Sequence, residues 1–150
     1  MATHFNNNFH SFKKPCLSTC VEFDTSKGIW STVYKLPYSI AYHTSWKNSR
    51  GILLMGNVYS GTRNKTFQLR PDGKHQPSFH LVQETYGACN IEDPSTNSVI
   101  MTGGFNPALR RYLNSVVRYG EQGFIEYLPN TTNTYYLHGC AGYYEGKNQV

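Results

Sequence analysis

Ser98-Val-Ile-Met-Thr-Gly-Gly104, then Ser115-Val-Val-Arg-Tyr119, Gly120-Glu-Gln-Gly123 and Phe124-Ile-Glu-Tyr-Leu-Pro129, decide how this chain is read. The apolar runs are short, rich in β-branched and aromatic residues, and closed by glycine, asparagine or proline. That is the pattern of strands rather than of helices. The polar link from Gly120 to Gly123 supplies glycine where a hairpin needs a positive φ. The stretch predicts an apolar strand ending at a glycine pair, then two strands joined by a tight turn.

Working outward, the same order recurs. Gly51-Ile-Leu-Leu-Met-Gly56 lies one period earlier, and the turn glycines Gly28, Gly73 and Gly123 keep the spacing. Leu36-Pro37 returns as Leu128-Pro129. Tyr86-Gly-Ala-Cys89 and Leu137-His-Gly-Cys140 also match. These markers agree on a period of about 45–51 residues, which in an all-β chain is the length of a four-stranded propeller blade. Each period divides into strands a to d. Strand a is read at 42–46, 86–91 and 138–144, and strand b at 52–55 and 99–102. Strand c falls at 21–23, 66–69 and 115–119, and strand d at 29–36, 78–81 and 124–128. Pro107 to Leu113, with Asn106 placed as a cap, is the best helical candidate and gives one or two turns at most.

Gly103-Gly104 after an apolar strand, Arg118-Tyr119 before a turn, and Gly123-Phe124 leading into Leu128-Pro129 resemble kelch repeats. His138-Gly139-Cys140 and the degenerate series Trp30, Leu36-Pro37, His43 and Gly56-Asn57 resemble them too. The resemblance implies an all-β, incomplete kelch-type β-propeller of four-stranded antiparallel blades. It spans residues 21–150 as about three blade-equivalents ending mid-blade, after an irregular segment at 1–20. It departs from the repeat where Asn57 replaces the second glycine and where the middle period offers only Phe79 as its strand-d aromatic. The family most often binds proteins, so the expected function is a non-enzymatic protein-interaction module. The alternative is a fragment of a kelch-propeller oxidase or of a carbohydrate-binding extracellular protein.

Composition narrows the classes. Charged residues make up 15 % of the 150, below the roughly 25 % usual for soluble domains, and aromatics reach 15 % with twelve tyrosines. With a net charge of only +5, disorder is excluded. No run approaches the roughly 20 apolar residues of a membrane helix, and the first twenty residues contain no export-signal core. The compartment is left open, cytoplasmic or extracellular, and the sequons at Asn64 and Asn130 are no more frequent than chance. Cys16 and Cys20 lack metal-ligand spacing. His43 and His138 read as repeat residues, and Cys89 and Cys140 as packing residues in a reduced compartment, with a bridge between them as the lesser option. Neither a phosphate loop nor a nucleophile elbow occurs. A copper–radical site would need two Tyr, two His and a Cys together, and the sequence does not place such a set. No catalytic residue, metal or cofactor is expected.

Blade geometry puts the b–c and d–a links on one edge and the a–b and c–d links on the other. The first edge collects Arg63, Lys65, Arg110 and Arg111 against Glu84 alone. The second interleaves six basic residues, among them Lys47, Arg50 and Lys74, with six acidic ones, which argues against a nucleic-acid stripe. The first edge also carries Tyr112 and Tyr135. Arg63, Arg110, Arg111, Tyr112 and Tyr135 are therefore the candidate binding residues, for an acidic protein or peptide.

Overall fold

In the computed structural model, residues 18–59 and 61–136 are described. Their regular elements are all strands. The first pair is β1 (Thr19–Asp24) and β2 (Ile29–Lys35). One four-stranded antiparallel sheet follows, formed in chain order by β3 (Thr44–Asn48), β4 (Gly51–Met55), β5 (Lys65–Leu69) and β6 (His75–His80). The next is formed by β7 (Cys89–Asp93), β8 (Ser98–Thr102), β11 (Val116–Gly120) and β12 (Ile125–Leu128). A small pair, β9 (Phe105–Asn106) and β10 (Arg111–Tyr112), projects from the β8–β11 link. None of the sheets closes on itself.

The glycines at the three c–d turns sit at φ 66°, 78° and 84° for Gly28, Gly73 and Gly123, a conformation that a Cβ would strain. Their amides close the turns on Asp24, Arg70 and Gly120 carbonyls at 2.7, 3.1 and 3.0 Å. The helical expectation for Pro107–Leu113 fails. The Asn106 side chain accepts the Leu109 amide at 3.0 Å, which starts a turn. Arg110 then adopts φ 51°, which a helix cannot continue, and the chain returns so that Tyr112 pairs with Phe105.

Alternation along β4 explains how the sheets stack. Leu53 and Met55 face the second four-stranded sheet, where they join Trp46, Leu81, Val99, Met101, Val117 and Tyr119 in one buried layer. Leu54, with Leu69 and Leu36, packs instead with Cys20, Tyr34 and Ile40 on the β1–β2 side. The same positions before each c–d turn therefore have different fates. Leu69 and Tyr119 are 4 % and 2 % exposed, whereas Phe23, at the corresponding place on β1, is 43 % exposed. Among the described residues β5 and β11 have strands on both sides, and β1 has β2 alone. Leu69→Ala should cost about 2–5 kcal/mol in denaturant unfolding with an unchanged slope. Phe23→Ala should cost less than half as much; equal losses would show that the two faces are covered alike.

Candidate functional site

The links between strands interlace along one edge, each pinned by the next. Asn57 donates its amide to the Thr85 carbonyl at 3.3 Å, and Val58 donates to Ala41 at 3.2 Å. The buried Asn57 side chain accepts from the Ala41 amide at 3.0 Å and donates to the Ser39 carbonyl at 3.2 Å. Gly87 donates to Tyr42 at 2.8 Å, Gly104 to Tyr135 at 2.7 Å, and Tyr135 in turn to Leu113 at 3.1 Å. A side chain at Gly104 would put its Cβ 2.3 Å from Thr85 Oγ1, so only glycine lets these links approach. The opposite edge has its own node. Glu121 accepts from Ser49 at 2.5 Å and pairs with Arg50 at 3.3 Å, and Asn97 also donates to it. The Ser49 bond, with Asn97 and Arg50, lowers the Glu121 pKa.

Sequence reasoning named Arg110, Arg111, Tyr112 and Tyr135, and they fall together on the first edge. Tyr135 is tied to the Leu113 backbone beside Arg111 and Tyr112. Arg63 is different. Its Nε donates to the Val58 carbonyl at 3.2 Å, and its guanidinium meets Glu84 at 3.5 Å, so it is engaged beside the neighbouring sheet. Arg110 and Arg111 are exposed and make no ion pair among the described residues. On the second edge Lys27 pairs with Asp24 at 2.8 Å and Arg70 with Asp72 at 3.4 Å, beside the Arg50–Glu121 pair. Lys47 and Lys74 make no ion pair among the described residues either, but they lie among the acidic residues of that edge. Arg110 and Arg111 lie next to Tyr112 on an edge with one acid.

Sequence reasoning missed the aromatic cluster to which Tyr112 belongs. Tyr42, Tyr86, Phe105, Tyr112 and Tyr136 form a connected group with ring centroids 5.3–6.2 Å apart. Tyr86 and Phe105 are paired through their backbones at 2.9 and 3.3 Å. Tyr42 and Tyr112, at opposite ends, are 51 % and 52 % exposed. Burial, and then the neighbouring phenols of Tyr86, Tyr42 and Tyr112, push the Tyr136 hydroxyl up to about 12, so four phenols converge there. Tyr42 is held at φ 55° and Arg110 at φ 51°, strained conformations for side chains of this size.

Partial desolvation lowers the His43 pKa. His138 and Cys140 lie outside the described residues. Cys89 is disulfide-bonded, which corrects the expectation of a free packing thiol, and its partner lies outside the described residues. Among the described residues no group of three or more His, Cys, Asp or Glu is placed to hold a metal. No helix among them is long and apolar enough to cross a membrane.

No family model and no curated protein matches this chain. A solved structure titled "Structure of YjhT" is similar to it in fold, with a TM-score of 0.64 at 9 % identity. The match covers 77 % of this chain and 44 % of that one, so this chain spans less than half of that structure's length.

Tyr38 and Tyr119 are also raised to about 12, chiefly by burial. A phenol whose folded pKa lies above its unfolded value near 10 stabilises the fold fully below about pH 10, and that contribution is lost as pH climbs toward 12. Phenolate absorbance should therefore show a late-titrating group of tyrosines, accompanied by alkaline unfolding, and Tyr136→Phe should remove one member. Uniform ionisation near pH 10 with the fold intact would contradict the burial assigned to these three.

Proposed function

We propose that the chain is part of a kelch-type β-propeller and serves as a non-enzymatic protein-interaction module, docking an acidic partner on its b–c and d–a loop edge. The repeated sheets support the propeller reading. They run a to d in order and stack by the same faces, with like links gathered on one edge. The observation that carries the functional reading is the contrast in charge. On the first edge Arg63, Lys65, Arg110 and Arg111 stand against Glu84 alone. On the second, bases and acids balance, with Arg50, Arg70 and Lys27 paired and Lys47 and Lys74 without an ion pair among the described residues. Arg and Tyr are enriched at binding hot spots, and unpaired charge steers encounter.

A second reading, an extracellular carbohydrate-binding protein of the same fold type, is favoured by one observation. Cys89 is disulfide-bonded, and such bonds persist in oxidising compartments.

The test is capture of partners from extract by the full chain and by two variant sets. Replacing Arg110, Arg111 and Tyr112 by Ala should weaken capture about tenfold or more. Replacing Lys47 and Lys74 should leave it unchanged; Arg50 is a poor control because it holds Glu121. If both sets behave alike, the edge assignment is wrong.

A further inference from the structure

Resting on the reading of this edge as a docking surface, we propose that the tyrosine cluster seats one kind of partner: an extended, acidic peptide segment containing proline. The rings supply the first reason. Tyr42, Tyr86, Phe105, Tyr112 and Tyr136 make a continuous aromatic floor, exposed at both ends through Tyr42 and Tyr112. Aromatic-lined surfaces receive polyproline-type segments, which arrive already extended and lose little entropy on docking. The phenols supply the second. Tyr86, Tyr42 and Tyr112 surround the Tyr136 phenol. Such a segment has no internal hydrogen bonds, so its bare carbonyls are acceptors for phenolic O–H donors.

Charge supplies the third reason and fixes the sign of the partner. Arg110 and Arg111 immediately precede Tyr112, are exposed and make no ion pair among the described residues, so the peptide carries Asp or Glu next to its proline segment. A cationic ligand is disfavoured because the arginines repel it. The backbone bonds from Gly87 to Tyr42 and from Gly104 to Tyr135 hold the floor in place before a ligand arrives, which limits the ordering cost of binding.

The experiment is a titration of the full chain, by fluorescence anisotropy, with a labelled peptide of Asp, Glu and Pro. One control peptide replaces its acids by Lys and another its prolines by Ala; an uncharged oligosaccharide serves as competitor. Saturable binding of the acidic proline peptide is expected, with the Ala form about tenfold weaker and the Lys form unbound. Joint replacement of Arg110 and Arg111 by Ala should weaken binding about tenfold and flatten its salt dependence. Tyr112→Ala should weaken it more than Tyr112→Phe, which keeps the ring; Lys47→Ala should change nothing, and circular dichroism should show each variant folded. No saturable binding, equal binding of the Lys form, or displacement by the oligosaccharide would overturn the proposal. If capture from extract still depends on Arg110, Arg111 and Tyr112 while the peptide does not bind, only the peptide assignment falls. If those variants affect neither assay, the docking edge falls with it.

Discussion

The apolar layer between the two four-stranded sheets is the interaction on which the rest of the structure depends. Trp46, Leu53 and Met55 meet Val99, Met101, Val117 and Tyr119, with Phe79 stacked on Tyr119 at 5.5 Å and 11°. The period of two along a strand makes this layer possible and also limits it, because β4 can send only Leu53 and Met55 one way if Leu54 goes the other. The sheets are thereby stacked in series, each offering one face forward and one back. Polar bonds set the register within that stack. Thr44 and Asn90 meet at 2.5 Å, Asn90 donates to the Ser45 carbonyl at 2.5 Å, and the Lys47 amide donates to Glu92 at 3.2 Å.

Loop placement follows from the stacking. Once two up-and-down sheets lie face to face with matched strands, their b–c and d–a links must emerge side by side. The tyrosines and arginines are consequences of that frame, since Phe105 and Tyr112 arrive on a β8–β11 link long enough to form its own strand pair. A flat strand edge could not have brought Tyr42, Tyr86 and Tyr136 together, because three separate links carry them.

Much of the fold was legible because its signals are local. The glycines at the c–d turns and the runs at 51–56 and 98–103 mark strand ends within a few residues, and β1, β2, β4, β5, β8, β11 and β12 lie close to the spans read for them. β3 and β7 start two to three residues later than read, β6 starts three residues earlier, and the β9–β10 pair was not read. The segment 107–113 misled because Asn106 and Pro107 are equally at home opening a turn or a helix, and the left-handed Arg110 that decides between them has no sequence signature. In the candidate site, Arg110, Arg111, Tyr112 and Tyr135 could be placed by blade geometry alone. The Arg63–Glu84 pair and the five-ring cluster could not, because they join residues from different links whose contacts only the stacked sheets define. Composition hinted at the cluster through twelve tyrosines, but a count does not say which of them converge.

The most direct test of the stacked-sheet core is native-state hydrogen exchange at single-amide resolution. If the shared layer holds the structure together, the slowest amides lie in β4, β5, β8 and β11 and exchange with one common opening free energy, while β1 and β2 exchange faster. Separate opening free energies for the two four-stranded sheets, or protection of β1 equal to that of β11, would contradict it.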